Sequence, residues 1–167
     1  MALNLLYTKP GHLARRFEQI AVAIFMEETA AFNITPVQYA TLMALRENPS
    51  IDATALSQLA ALDRSTLGSV LARLQAKKLI ERKSSKEDKR SKLLRMTKRG
   101  NALLKKLEPA VRRADERIIA PISPADRKQL LELLSQLVHL NNRFSRAPLG
   151  AIAPAAKTAE AKRRGNR

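Results

Sequence analysis

Apolar residues recur along this chain at steps of three and four in six separate blocks, interrupted once by a pair of short mixed runs. Leu13, Phe17, Ile20, Ile24 and Phe25 predict a helix from His12 to about Phe32, and Ala21, Val22 and Ala23 widen its apolar surface as expected of a helix buried on two sides. Val37, Ala40, Thr41, Met43, Ala44 and Leu45 predict a second helix ending near Arg46. Leu56, Leu59 and Ala60 mark a short third. Leu67, Val70, Leu71 and Leu74 fall on one face of a fourth. Leu103, Leu104, Leu107, Val111, Ala114 and Ile118 run along a long fifth. The last block, with Leu130, Leu131, Leu133, Leu134, Leu137, Val138 and Leu140, holds more leucine than one surface helix needs, and the excess predicts a second buried face and hence oligomerisation.

Polar punctuation fits these blocks. Thr35-Pro36-Val37-Gln38 has a cap, a proline suited to the first helical position and a glutamine placed to complete a capping box. Asp52, Asp63, Thr97 and Ser123 stand where later helices need N-caps. Asn48-Pro49-Ser50 and Pro121 are stops. Pro109, inside the fifth block, predicts a kink or local opening. Leu79–Lys83 and Lys92–Met96 read as two strands around a loop from Ser84 to Ser91, so the stretch from Ile51 to Gly100 has the form of a helix-turn-helix with a β-hairpin wing. The fold class expected is mainly α: a winged helix-turn-helix whose N- and C-terminal helices form a dimerisation region. The organisation expected is an arm over 1–11, a domain over 12–145 (DNA-binding core 51–100, dimerisation helices 12–48 and 101–145) and a disordered basic tail over 146–167, rich in Ala and Pro.

Charge turns this architecture towards a partner. The formal net charge is +16, and between Lys77 and Arg99 eleven Lys or Arg face three acids, a net +8. Such an excess favours a polyanion, most simply nucleic acid, because neutralised phosphates release counterions. There is no cysteine, which removes disulfides, thiolate metal sites and thiol redox sensing. With two distant histidines, no phosphate-binding Gly loop and no metal-ligand spacing, neither an enzyme nor a resident cofactor is expected. Glu27-Glu28 is an adjacent pair whose side chains leave a helix in different directions, which argues against a metal. No apolar run reaches membrane length and the start lacks signal-peptide features, so a cytoplasmic protein without a membrane partner is expected.

Leu56-Ser57-Gln58-Leu59-Ala60, Asp63-Arg64-Ser65-Thr66-Leu67, Asp88-Lys89-Arg90 and Leu94-Arg95-Met96-Thr97-Lys98-Arg99-Gly100 resemble the MarR (multiple antibiotic resistance regulator) family over roughly residues 11–145. Lys78 departs from the glycine usual there and gives up its easy left-handed turn. The resemblance implies a homodimer on double-stranded DNA, with two helix-turn-helix units in successive major grooves of a pseudo-palindrome. His12-Leu13-Ala14-Arg15-Arg16 and Thr35-Pro36-Val37-Gln38-Tyr39 look most like the subgroup that represses nicotinate-degradation genes and responds to a hydroxylated nicotinate.

The helix from Arg64 is the expected reader. Arg64 and Arg73 can bond guanine bidentately, and Ser65, Thr66 and Ser69 can meet bases or phosphates. A merely solvated charged face is the plain alternative. Lys83, Lys86, Lys89 and Arg90 are the phosphate or minor-groove candidates. The resemblance implies that Asp88 pairs with an Arg and shapes the wing while Arg90 enters the minor groove. For a small aromatic carboxylate effector, His12, Arg15, Arg16 and Tyr39 offer a cation and a ring; surface charges and a core tyrosine are the bland reading. His139 is expected at the surface or an interface. Against the ligand-responsive repressor stand a non-sequence-specific architectural DNA-binding protein and a structural RNA-binding protein.

Overall fold

Five helices begin on the side chain that the sequence places there. The computed structural model describes residues 5–84 and 92–149. It runs α1 (Pro10–Glu28), α2 (Pro36–Glu47), α3 (Ala53–Leu59), α4 (Arg64–Ala76), β1 (Ile80–Ser84), β2 (Lys92–Met96), α5 (Lys98–Ile119) and α6 (Pro124–Leu140). Thr35 and Gln38 close the capping box at α2. Asp52 accepts from the amides of Thr54 and Ala55 at 2.7 and 2.9 Å. Asp63, Thr97 and Ser123 accept from Thr66, Gly100 and Asp126 in the same way. Each cap satisfies amides that the first helical turn leaves open.

Several boundaries move. Pro10 itself is the first residue of α1, two residues before His12, and Leu5–Thr8 of the expected arm form a 3-10 turn. Helix α1 stops at Glu28; Ala30–Phe32 is a separate 3-10 turn, and Asn33 takes a left-handed φ of 52°. Helix α5 runs as one element through Pro109. The ring costs it the bond to the Lys105 carbonyl rather than its continuity, and Pro109 lies on the exposed side. Of the tail expected from 146, residues 146–149 are described: Asn142 bonds the Leu149 backbone in both directions and Ala147 is buried. Residues 150–167 lie outside the described residues.

The core forms where α2, α3, α4 and α5 meet the wing. Leu42, Leu45, Leu56, Leu71, Leu74, Leu94, Leu104 and Leu107 are all at or below 2% exposure. The strands pair antiparallel from Ile80↔Met96 to Ser84↔Lys92, and Ile51 adds a bridge to Leu94, tying the start of the helix-turn-helix to the wing. Gly100 is required at the wing's exit. A Cβ there would press into the Leu79 carbonyl oxygen and lie 2.6 Å from Cγ of Met96, and backbone cannot move aside as a flexible side chain does.

Helices α3 and α4 end alike. Leu62 donates to the Ser57 carbonyl and Ala61 to Gln58; Leu79 donates to Leu74 and Lys78 to Gln75. Both are Schellman closures. Both put a residue other than glycine in the left-handed region, Ala61 at φ 52° and Lys78 at φ 58°. That conformation costs an L-residue about 1 kcal/mol or more. Ala61→Gly and Lys78→Gly should therefore each stabilise the protein by about 1 kcal/mol, and the double variant should gain roughly the sum. A denaturant melt checks this; an unchanged or lowered midpoint shows that neither turn carries the strain its φ implies.

Two helices remain uncovered. Within the single chain Phe25 is the one buried residue of α1, and Leu13, Phe17 and Ile20 are exposed. Helix α6 buries none of its residues: Leu131, Leu133, Leu134, Leu137, Val138 and Leu140 all face outward. Glu27 and Glu28 clamp α1 to α5. Arg117 reaches both and Arg113 bonds Glu28 at 2.8 Å. The guanidinium of Arg117, then that of Arg113, holds the Glu28 carboxyl below its ordinary value. Its stabilising effect is therefore complete above the usual carboxylate range and is lost as pH falls through the lowered value.

Candidate nucleic-acid interface and effector residues

Helix α4 is divided lengthwise. Leu67, Val70, Leu71 and Leu74 are buried, while Arg64, Ser65, Gly68, Ser69, Ala72 and Arg73 are exposed. At 100° per residue, Ser65, Gly68, Ser69 and Ala72 fall in the middle of the open face and the two arginines on its opposite edges. A Cβ added to Gly68 would meet nothing within 4 Å. The centre of the face is thus built from small groups, which let a backbone approach closely, with cations on either side. Among the described residues neither Arg64 nor Arg73 has a side-chain partner.

Ser65 and Thr66 carry a second duty. Their hydroxyls donate to the two carboxylate oxygens of Asp63 at 2.7 and 2.8 Å. The Thr66 amide first, and then these hydroxyls, push the Asp63 carboxyl far below its ordinary value. With their protons committed, neither hydroxyl is free to donate to a phosphate; each can still accept, as from a base amino group. Thr66 is half-buried, so Ser65 is the better placed of the two. Ser69 donates to the Ser65 carbonyl at 3.3 Å.

In the wing, Lys83 extends from β1 and pairs with Glu81 at 3.3 Å, so part of its charge is met within its own strand. Lys86, Asp88, Lys89 and Arg90 lie outside the described residues.

The four expected effector residues divide into two groups. The His12 ring stands edge-on to Tyr7 at 5.2 Å, and the Arg16 guanidinium lies 5.8 Å from the Tyr7 centroid. Nε2 of His12 is buried without a hydrogen-bond partner among the described residues. Arg15 is exposed. Tyr39 instead packs on Phe25 at 5.7 Å, and burial raises its phenol above the ordinary value. Nine residues of α1, roughly 13–14 Å of helix axis, separate Arg16 from Phe25. One protomer does not bring these four residues together. Tyr7 was absent from the sequence-based set, because nothing periodic links it to His12 across Pro10-Gly11. His139 is exposed near the end of α6. No cluster of three potential metal ligands exists among the described residues, and no helix there is long and apolar enough to cross a membrane.

Comparison with known proteins places this geometry. The model of the MarR family matches residues 32–91. A putative transcriptional regulatory protein for the hcr operon of Thauera aromatica is 36% identical over 131 residues, 78% of this chain and 76% of that protein. The HTH-type transcriptional repressor NicR of Pseudomonas putida is 29% identical over 128 residues, 77% of this chain and 81% of that one. Among solved structures, Bordetella bronchiseptica BpsR, described by its mechanism for regulation of DNA binding by 6-hydroxynicotinic acid, superposes with a TM-score of 0.73 at 29% identity, covering 77% of this chain and 92% of that chain. These relatives are regulators rather than enzymes.

Proposed function

The chain belongs to the MarR family of transcriptional regulators, and from that premise we propose that it is a homodimeric repressor of a pseudo-palindromic operator, released by a small aromatic acid such as 6-hydroxynicotinate. The observation that carries the DNA reading is the open face of α4: small residues along its centre, Arg64 and Arg73 on its edges, and a core-facing side that is fully used. A helix with that section fits a major groove, and its N-terminal residues reach base edges. Lys83, with Lys86, Lys89 and Arg90 beyond it, adds phosphate and minor-groove contacts, and Asp88 shapes that loop.

The dimer reading rests on α1 and α6. An isolated helix of this length is marginal in water, and most helical stability comes from covering an apolar face. Among the described residues α6 has no cover, and its leucines, like Leu13, Phe17 and Ile20 on α1, are exposed apolar groups that a second copy would bury. The effector reading draws on NicR, a repressor, and on BpsR, whose DNA binding is regulated by 6-hydroxynicotinic acid. In this reading His12, Arg15 and Arg16 of one protomer supply the cations and Tyr39 of the other supplies the ring, so the effector site is completed only by dimerisation.

DNase footprinting of the upstream region tests the operator claim. Two protected half-sites centred about 10–10.5 base pairs apart, or a multiple of that, are expected. Uniform protection without a preferred site would contradict it.

A further inference from the structure

We propose that Ser65 selects an amino base, adenine or cytosine, in each half-site, and that Asp63 fixes this choice by holding the Ser65 proton. This rests on the reading of α4 as the helix that enters the major groove, and it names what one residue of that helix discriminates.

Ser65 is the second residue of α4 and is exposed at the middle of its open face. Its side chain is short, so it meets a base edge only where the helix lies deep in the groove. The residues that follow it on that face permit this. A Cβ at Gly68 would meet nothing within 4 Å, and Ser69 and Ala72 are small and exposed.

The polarity of the hydroxyl is set from behind. Ser65 donates to Oδ1 of Asp63 at 2.7 Å, the Thr66 amide donates to the same oxygen at 2.9 Å, and the Thr66 hydroxyl donates to Oδ2 at 2.8 Å. The Thr66 amide first, and then the two hydroxyls, hold the Asp63 carboxyl far below its ordinary value, so the acceptor is charged. A hydroxyl has one proton and two lone pairs. With the proton drawn to a carboxylate, Ser65 turns lone pairs alone towards the groove, and the charge behind polarises them further. In the major groove adenine and cytosine present amino donors, N6 and N4, whereas guanine O6 and thymine O4 are acceptors. An amino base completes a bond with Ser65. A keto base sets oxygen against oxygen, and Ser65 can donate to it only by giving up a charge-assisted bond. Ser69, one turn further on, differs: its hydroxyl bonds the neutral Ser65 carbonyl at 3.3 Å and is free to turn to either kind of base.

Binding sites are selected from random duplexes, and read by sequencing, with the full-length native protein, Ser65→Ala and Asp63→Ser. Serine is as good an N-cap as aspartate, so the second substitution keeps a cap on α4 while removing the charge that holds the Ser65 proton. The native protein should show a position in each half-site where A or C on one strand is favoured over G or T by about tenfold, the penalty of an unmade bond. In Ser65→Ala this preference should vanish. In Asp63→Ser it should fall towards none with the rest of the half-site retained, whereas a purely structural cap would weaken binding on every sequence alike. On the selected operator, 2-aminopurine for that adenine, or 2-pyrimidinone for that cytosine, takes the amino group out of the major groove. This should cost the native protein about tenfold per half-site and Ser65→Ala nothing. A Ser65-dependent position that favours G or T, the lack of any such position, or native binding unchanged by the analogue overturns the proposal and leaves α4 as the reader. An unaltered preference in Asp63→Ser overturns the role of Asp63. If selection returns no half-site at all, the reading of α4 as a sequence reader falls with the proposal.

Discussion

Leu134→Glu combined with Leu137→Glu should convert the protein to a monomer and lower its operator affinity by about 100- to 10,000-fold, the gain that linking two half-site contacts supplies. The two residues stand one helical turn apart on α6, 38% and 59% exposed in the single chain. Among the described residues both are exposed, so the charges introduced there should leave the core of Leu42, Leu56, Leu71 and Leu104 intact. In the dimer the same positions would place four carboxylates in an apolar interface, where burial of unpaired charge is prohibitive. Sedimentation equilibrium with a gel-shift titration reads both effects. A variant that stays dimeric would remove α6 from the interface. A monomer that binds operator as tightly as the native protein would break the link between pairing and DNA recognition.

The second large effect is expected on α4, where the two arginines should fail in different ways. Arg64 is the first residue of the helix, at the end proposed to enter the groove. Arg64→Ala should cost about 1–3 kcal/mol per half-site, the scale of a bidentate base contact, and twice that in a two-fold complex. It should also relax the preference at one base pair in each half-site. Arg73 lies about two and a half turns further on, at the opposite edge of the exposed face, where a groove wall of phosphates is expected. Arg73→Ala should weaken binding on all sequences alike and reduce the slope of log affinity against log salt by about one unit per protomer. Gel-shift titrations on operator and scrambled DNA over a salt series separate the two. Equal and sequence-independent losses at both positions would mean that α4 grips the backbone without reading it.

What could be read from the sequence was local. The caps at Thr35, Asp52, Asp63, Thr97 and Ser123 depend on amides two or three residues away, and the face of α4 depends on steps of three and four. The strand pairing was legible because a short basic loop joins the strands. Position among distant elements was not. The stripe Leu13-Phe17-Ile20 was found, but periodicity names a face without naming what covers it, and among the described residues the stripe stays exposed. Leu42, with no exposure at all, was passed over inside a helix of mixed residues. The bridge from Ile51 to Leu94 joins residues far apart in sequence, as does the meeting of Phe32, Lys77, Arg99 and Lys106 in one cleft. Tyr39 and His12 were grouped because their residue types suit one ligand, but how they are placed was not legible: the length of α1 holds them apart within a protomer.

The most direct test of a ligand-gated repressor is a gel shift of the purified protein on its own upstream region, with excess competitor DNA at physiological salt, in the presence and absence of 6-hydroxynicotinate and salicylate. A discrete complex that survives competitor and is dissolved by 6-hydroxynicotinate is the expected result. A discrete complex indifferent to both acids would leave a regulator without this class of effector. A smear that competitor and salt remove would contradict sequence-specific recognition itself, and the open face of α4 would then be a solvated surface on an architectural DNA-binding protein.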